Sequence, residues 1–254
     1  MFQDKKIVCV IPARLRSTRF PEKMLASLCG KPLIERTWEA ALLVPHFDRV
    51  VLAVDDERVA RVVEGFQGEY FMTSVSCPSG TDRLVELVTK GQIDGDIFVN
   101  WQGDEPFITK TIVEDLLMTC ASPFVDIWTL KSRMREEDAH NPHICKVVCS
   151  AQNRALYFSR YPIPYMRDEG GTRTLWKHIG MYAYTKKTLQ SLQGLSACMI
   201  EQAEQLEQLR FLYEGFVMHV QETKEEVFGI DIPEHLERAE ALLQTMRGVY
   251  VHGV

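Results

Sequence analysis

IPARLRSTRFPEK, residues 11–23, follows directly on the apolar stretch IVCV at residues 7–10. The run is opposed by one acid, Glu22, and contains four cations within ten positions: Arg14, Arg16, Arg19 and Lys23. An apolar strand that ends in a basic loop and leads to a helix is typical of an anion site, because guanidinium groups, backbone amides and a helix N-terminus all attract negative charge. The run therefore predicts a cradle for a polyphosphate.

A solvated basic loop on an acidic protein is the alternative interpretation of the same residues. Pro12 and Pro21 argue against it, because they restrict the backbone at both ends of the charged run, which ordinary surface loops seldom require. We therefore favour the anion site.

Outward from this run, the first half of the chain alternates between strands and helices. Apolar strands are predicted at residues 6–11, 49–54 and 96–100, and amphipathic helices at 32–43, 57–66 and 81–90. Near-continuous apolar strands with helical crossovers predict a parallel sheet that is covered on both faces. Ligands of such sheets bind outside the carboxyl ends of the strands, which is where the basic loop lies.

The pattern changes beyond residue 126. Strand-like runs at 127–130, 145–150 and 176–184 are separated by only short helices, which predicts a mixed, partly antiparallel extension that forms a lobe, a dimer surface or both. A late strand at 226–230 and a helix at 233–247 close the chain. The run EGGT at 169–172 is predicted to be mobile.

Composition limits the function classes. With 254 residues, 46% hydrophobic and 25% charged, the chain is globular rather than disordered or fibrous. Its net charge of −6 argues against a general nucleic-acid binder and makes the basic loop a local site for a small anion. The seven cysteines form no C-x-x-C pair and no stretch approaches the length of a membrane span, so we expect free thiols in reducing cytoplasm.

Two further acids could join the loop at the same sheet edge. Gln102 and Asp104 follow the strand at 97–99, with Gly103 between them to admit a ligand to the backbone. Asp231 follows the late strand. Either aspartate could instead cap a helix, Asp104 the one beginning near Thr109 and Asp231 the last helix. Together with the basic loop, however, the two carboxylates would suit a Mg²⁺-nucleotide.

Six motifs in order resemble the CMP-Kdo synthetase family, the 3-deoxy-manno-octulosonate (Kdo) cytidylyltransferases of Gram-negative bacteria. The resemblance covers almost the whole chain, and its motifs are I-P-A-R-x-x-S-T-R-x-P-x-K (11–23), S-G-T-D-R (79–83), Q-G-D-E-P (102–106), Y-F-S-R-x-P-I-P (157–164), H-I-G-x-Y (178–182) and G-I-D-x-P-E (229–234). Several are weak individually, but six in the correct sequence are specific.

This resemblance implies a Rossmann-like nucleotidyltransferase fold and the reaction CTP + Kdo → CMP-Kdo + pyrophosphate. It also implies Mg²⁺ as cofactor, a cytoplasmic homodimer without membrane insertion, and a place in lipopolysaccharide biosynthesis. Residues 1–254 would form a single domain. Within it, residues 1–125 would bind the nucleotide, 126–225 would form the sugar-binding and dimer lobe, and 226–254 would supply the closing strand and helix.

The resemblance also assigns roles to individual residues. The triphosphate loop would comprise Arg14, Ser17, Arg19 and Lys23. Cytosine and ribose contacts would come from Ser79, Gly80, Thr81 and Arg83, and a further nucleotide contact from Gln102. Sugar binding would involve Arg160, Arg167, His178, Glu207 and Gln208. Asp104 and Asp231 would hold the metal, and catalytic roles would fall to Arg14, Lys23, Asp104 and Asp231.

Three positions depart from the family pattern. A Gly-Lys-Pro triplet is expected where this chain has Glu22-Lys23-Met24, and Trp101 and Ile232 replace the usual valine and threonine. Glu22 could weaken phosphate binding or simply point to solvent. Two alternatives to Kdo activation therefore stay open: a cytidylyltransferase for another acid sugar such as sialic acid, and a non-catalytic nucleotide-sensing module.

Overall fold

The computed structural model describes residues 4–120, 122–168 and 173–251. The first half alternates strands with helices as the periodicity predicts. Its strands are β1 (Ile7–Ala13), β2 (Ser27–Leu28), β3 (Lys31–Pro32), β4 (Arg49–Val54), β5 (Tyr70–Met72) and β6 (Ile97–Asn100). Its helices are α1 (Leu33–Leu42), α2 (Glu57–Gly65), α3 (Gly80–Thr89) and α4 (Lys110–Leu117).

The second half mixes longer strands with short helices. Its strands are β7 (Ile127–Arg133), β8 (Lys146–Cys149), β9 (Ala155–Ser159), β10 (Trp176–Thr185) and β11 (Met218–Glu222). Its helices are α5 (Lys186–Leu192), α6 (Met199–Glu204), α7 (Gln208–Tyr213) and α8 (Glu234–Val251). The run at 169–172, predicted to be mobile, lies outside the described residues.

One sheet runs through both halves in the order β11-β7-β10-β6-β1-β4-β5. Strand β10 is antiparallel to both of its neighbours, β6 and β7, whereas β1 is parallel to β4 and β6, and β11 is parallel to β7. The hairpin β8–β9 joins the start of β10 through the pair Lys177 and Lys146. This arrangement confirms an α/β fold with a mainly parallel sheet and an antiparallel extension.

Alternation along β1 explains why helices cover both faces of the sheet. All seven residues of β1 are buried. Ile7, Cys9 and Ile11 belong to one apolar cluster, and Val8 and Val10 to the other. Because successive side chains of a strand point to opposite faces, a strand that is apolar throughout needs a core on each side. In the described part of the chain, no helix is long and apolar enough to span a membrane.

The prediction of a late strand at residues 226–230 is wrong, because this stretch has no strand pairing in the structure. Its apolar residues instead pack as a loop: Ile230 is fully buried beside Leu28 and Leu33. The Ile230 amide donates to the carbonyl of Asp104 at 2.9 Å. The loop thereby fixes Asp231 next to Asp104 without adding to the sheet.

Candidate active site

A cleft of about 880 Å³ opens at the carboxyl ends of β1 and β6. It brings together residues that lie far apart in the sequence, because parallel strands deliver their following loops to one edge of the sheet. Ten predicted site residues line it: Arg14, Ser17, Lys23, Ser79, Gly80, Arg83, Gln102, Asp104, Glu207 and Gln208. The basic loop, the start of α3 and the segment before α7 therefore face one space.

Lys23 and the two predicted metal-binding aspartates form a charge cluster at the edge of this cleft. The Lys23 ammonium is hydrogen-bonded to Asp104 Oδ2 and lies 3.5 Å from Asp231 Oδ1. The Lys23 side chain is only 8% exposed. One cation is therefore shared by two carboxylates that are 127 positions apart in the chain. Asp104 does not cap α4, because Thr109 does.

The other cations of the basic loop differ in whether they have a partner within the described chain. Arg19 donates to Asp231 at 2.7 Å, with both side chains well exposed. Arg14 lines the cleft and has no hydrogen bond or ion pair with any residue that the structure describes. Its guanidinium can therefore meet an incoming anion without first breaking an internal contact.

Glu22, the departure beside Lys23, turns away from the cleft. Its carboxylate pairs with Arg58 at 2.6 Å on the exposed surface. Its backbone has φ 55° and ψ 27°, the left-handed conformation that glycine adopts without steric cost. The glycine that the resemblance predicts here thus matches the backbone, and Glu22 does not neutralise the Lys23 ammonium.

Gly103 lines the cleft and also allows close packing of the chain. A Cβ atom at this position would lie 2.8 Å from the carbonyl oxygen of Pro12 and 2.8 Å from Met24 Sδ. The glycine therefore allows the loop after β6 to sit directly on the end of β1. This close packing holds Asp104 beside the basic loop.

At the start of α3, three of the four predicted nucleotide residues line the cleft, and two of the four are held by contacts within the chain. Ser79 caps the helix, accepting from the Asp82 amide at 3.2 Å, and Gly80 follows it at the cleft surface. Thr81 is buried and Arg83 is 2% exposed, with its guanidinium donating to Asp55 and Thr73. Their assignment as cytosine or ribose contacts stays a prediction: Arg83 lines the cleft although its guanidinium is paired, whereas Thr81 does not line it.

A buried chain of hydrogen bonds runs beneath the floor of the cleft. Gln102 donates to Asn100 at 3.0 Å, and Asn100 donates to the Thr81 hydroxyl at 3.3 Å. Thr81 in turn donates to Glu207 Oε1 at 3.1 Å and lies 3.0 Å from the Tyr184 hydroxyl. The chain links β6, α3, β10 and the residue before α7, so the predicted nucleotide and sugar residues share one rigid support.

Glu207 presents an unused acceptor to this site. Its Oε2 atom is buried without a hydrogen-bond partner among the described residues, and burial raises the pKa of its carboxyl group. A buried oxygen without a partner is costly, so it favours a ligand that brings a donor. Its neighbour Gln208 is buried, and its amide nitrogen lies 3.5 Å from both Cys145 Sγ and His178 Nδ1.

The other three predicted sugar residues do not line the cleft. Arg160 donates to the backbone carbonyls of Pro142, Glu204 and Gln205. Its guanidinium therefore connects the end of β9 to the end of α6 and is already occupied by these carbonyls. Arg167 is 91% exposed and lies 3.6 Å from Asp168. The structure thus does not bring these two arginines to the site.

His178 is a buried neutral histidine. Its Nε2 lies 2.9 Å from the Thr129 hydroxyl, and its ring packs between Phe158 and Tyr182. Burial, with a smaller effect of Lys177, lowers the pKa of His178 to about 3. Its route to the cleft is through Gln208, so it supports a cleft residue rather than entering the cleft itself.

Sequence reasoning missed two acids near the site. Glu105 lies next to Asp104, and its Oε2 is buried without a partner in the described chain. Burial, reinforced by the charge of Asp104, raises the pKa of Glu105 to about 8. Asp55 directly follows β4 and holds both Arg83 and the Leu15 amide. A strand-end position, the signal that pointed to Asp104, could have indicated Asp55 as well.

A further wall of the cleft was also missed. It is lined by the loop after α5 and by α6, through Gly194, Leu195, Ala197, Glu201, Gln202 and Gln205. Arg210 ties this wall to α7, because it pairs with Glu201 at 2.6 Å and donates to the Leu195 carbonyl at 3.2 Å. Short helices without a distinctive motif gave no signal for this wall.

Comparison with known proteins places this cleft in a family context. The family model described as Cytidylyltransferase matches residues 8–226. The 3-deoxy-manno-octulosonate cytidylyltransferase of Thermodesulfovibrio yellowstonii is 43% identical over 250 residues, covering 94% of this chain and 98% of the relative. That of Myxococcus xanthus is 39% identical over 246 residues, covering 97% of this chain and 100% of the relative.

Solved structures give the same relationship. A CMP:2-keto-3-deoxy-manno-octonic acid synthetase complexed with CTP is 42% identical, covers 95% of this chain and 99% of its own, and superposes with a TM-score of 0.88. The inositol-1-phosphate CTP transferase from T. maritima is 15% identical with a TM-score of 0.65, over 93% of this chain and 94% of its own. At that identity, the likeness extends to the fold alone.

Proposed function

The chain belongs to the cytidylyltransferase family, and we propose that it activates Kdo, converting CTP and Kdo to CMP-Kdo and pyrophosphate. The relatives that bear this name match almost the full length of the chain. The anomeric hydroxyl of Kdo attacks the α-phosphorus in line, and pyrophosphate leaves. Such a transfer needs positioning and charge stabilisation more than covalent chemistry.

The observation that carries this proposal is that Asp104 and Asp231 both contact the Lys23 ammonium at the end of the basic loop. Two carboxylates that can share one cation have the donor type and the proximity that Mg²⁺ requires. Among the described residues no cluster of three or more acidic, histidine or cysteine ligands is present, so the remaining metal ligands would be phosphate oxygens and water. The residues therefore fit a Mg²⁺-nucleotide.

In this proposal Asp104 and Asp231 hold Mg²⁺. When bound, the ion would neutralise phosphate charge and favour ionisation of the sugar hydroxyl. Lys23, released from the aspartates, and the open guanidinium of Arg14 would hold the β- and γ-phosphates. Ser17 lies on the same cleft wall and can donate to a phosphate oxygen.

The sugar would enter beside Glu207 and Gln208, which line the cleft opposite the basic loop. The unpartnered Glu207 Oε2 would accept from a sugar hydroxyl, and the Gln208 amide would donate. Kdo carries a carboxylate, and at 4 Å a like-charge pair costs about 4 kcal/mol at an effective dielectric of 20. Because Arg160 is committed to backbone carbonyls, the cations of the basic loop must offset most of this repulsion.

Assembly and location are further parts of the proposal. We infer a cytoplasmic homodimer that serves lipopolysaccharide biosynthesis, as the resemblance implies. Large exposed apolar side chains on the lobe formed by β8, β9 and α6 support a subunit contact there; they include Leu156, Tyr161 and Met199. All seven cysteines are free thiols, which suits a reducing compartment. Light scattering of the purified protein would measure the subunit number.

Pyrophosphate release tests the proposed reaction. CTP and Mg²⁺ would be supplied with Kdo, with sialic acid or with no sugar, and Asp104→Asn would serve as the inactive control. We expect release with Kdo alone. Release with sialic acid but not with Kdo would redirect the substrate, and CTP binding without release on either sugar would favour a nucleotide sensor.

A further inference from the structure

Asp55 lies between the two segments that meet the nucleotide, yet it is not among the residues that line the cleft. Its Oδ1 accepts from the Leu15 amide at 2.9 Å, and its Oδ2 accepts from Arg83 at 2.8 Å. Leu15 belongs to the basic loop after β1, and Arg83 belongs to the first turns of α3. One side chain, 9% exposed, therefore joins the phosphate segment to the nucleoside segment.

Burial and further hydrogen bonds hold the Arg83 side chain in place against Asp55. The Arg83 side chain is 3% exposed, and its second terminal nitrogen donates to the Thr73 hydroxyl at 2.7 Å and the Ser74 carbonyl at 3.1 Å. A buried guanidinium needs its counter-ion in place, because an unpaired buried charge is strongly unfavourable. The start of α3 is thus held at a set position relative to the end of β4.

The contact with Leu15 fixes the loop near its start, two residues after β1 ends. The Leu15 side chain is 4% exposed, whereas the flanking Arg14 and Arg16 are exposed. Anchoring the backbone at Leu15 leaves Arg14 and Ser17 directed along the cleft, where they form part of its wall. The loop keeps its open cations while its backbone stays attached to the sheet edge.

We propose that Asp55 is a positioning residue that sets the spacing between the phosphate loop and the start of α3, so that one CTP reaches both. This inference rests on the proposed function. Binding of a two-part ligand is strengthened when both subsites are held at the span of that ligand, because the second contact becomes intramolecular. Loss of Asp55 should therefore lower the affinity for CTP far more than the affinity for cytidine or for pyrophosphate.

The test compares Asp55→Asn with Asp56→Asn. Asparagine keeps the size of the side chain at position 55 but removes the charge that pairs with Arg83. Asp56, the next residue, caps α2 by accepting from the Arg58 amide at 2.8 Å, and asparagine caps a helix as well as aspartate does. Affinities for CTP, cytidine and inorganic pyrophosphate would be measured by NMR titration.

For Asp55→Asn we expect CTP affinity to fall by about 20-fold or more, and cytidine and pyrophosphate affinities to change by less than about threefold. Asp56→Asn should leave all three within about twofold. CTP affinity within twofold of the parent, or an equal loss for all three ligands, would overturn the role of Asp55.

Asp55→Glu provides a second variant if asparagine prevents folding, because it keeps the buried charge pair but moves the carboxylate by one methylene. The same selective loss of CTP affinity is expected. Hydrogen exchange of the Leu15 amide without ligand should quicken by about 10-fold or more in Asp55→Glu, because its displaced carboxylate no longer meets that amide, and unchanged exchange in this variant would also overturn the proposal. Failure of the parent to bind CTP would instead overturn the proposed function, while the exchange measurement would still decide the role of Asp55.

Discussion

The phosphate side of the cleft, residues 14–23 with Asp104 and Asp231, differs from the sugar side, residues 142–160, 178 and 204–210. On the phosphate side, charged groups contact one another or stay open, as Lys23 and Arg14 do. On the sugar side, Arg160 and His178 make contacts within the fold: Arg160 donates to backbone carbonyls and His178 packs among aromatic rings. A family motif therefore identifies a required residue without saying whether it touches the ligand.

Asp104→Asn tests the phosphate side. We expect pyrophosphate release to fall by about 1,000-fold, roughly 4 kcal/mol of transition-state stabilisation, because one of the two carboxylates that would hold Mg²⁺ in the proposed mechanism is lost. Thermal unfolding should shift by only a few degrees, since asparagine still accepts from Lys23. Near-normal turnover would remove Asp104 from the metal site.

His178→Gln tests whether the sugar-side histidine is structural. The pKa of His178 is about 3 in the folded chain against about 6.5 when unfolded, so below pH 6.5 only the unfolded chain takes up this proton. The free energy of unfolding should therefore fall by about 1.4 kcal/mol per pH unit between pH 6 and 4 because of His178.

Denaturant titrations at several pH values measure that contribution. The free energy of unfolding should change less steeply with pH in His178→Gln, by the amount given above. Replacement of the exposed His143 should leave this pH dependence unchanged. Equal slopes in the parent and His178→Gln would show that His178 is protonated in the folded chain and would reopen its role as a sugar ligand.

Arg160→Lys separates charge from geometry on the sugar side. Lysine keeps the positive charge but cannot reach three carbonyls at once, so we expect the free energy of unfolding to fall by about 2 kcal/mol. Arg167→Ala, on the exposed surface, should change it by less than about 0.5 kcal/mol. A stable Arg160→Lys variant with a raised KM for Kdo would return Arg160 to the sugar pocket.

Glu22 offers the mildest test, at the border of the phosphate side. Glu22→Gly and Glu22→Ala both remove the pair with Arg58, but only glycine relieves the positive φ. We expect the glycine variant to be more stable than the alanine variant by about 1 kcal/mol, with KM for CTP within about twofold of the parent in both. A lower KM in both variants would mean that Glu22 opposes phosphate binding.

The fold and the phosphate side were predictable because they follow from residue periodicity and from the common edge at which parallel strands end. Period-two and helical patterns located β1, β4 and β6 and their helices, and parallel strands necessarily bring Arg14 and Asp104 to one edge. The place of Asp231 was also found, although the strand predicted before it is a buried loop. An apolar run indicates burial, but strand pairing depends on a neighbour that the local sequence does not reveal.

The sugar side was less predictable because its contacts depend on tertiary packing. Nothing in Y-F-S-R-x-P-I-P indicates that the Arg160 guanidinium meets the carbonyls of Glu204 and Gln205, some 44 positions later. Tyr213 lies one helical turn after the buried Leu209, yet it is 65% exposed at the end of α7. Periodicity assigns a helix face but not what covers it.

The shared ammonium of Lys23 has a practical consequence for handling the protein. Two neighbouring carboxylates would ordinarily repel each other, but here a cation built into the chain lies between them. Folding should therefore not rely on bound divalent ions, and a chelator such as EDTA should leave the melting temperature unchanged during purification and storage. Assays of the proposed Mg²⁺ dependence can therefore start from fully stripped protein.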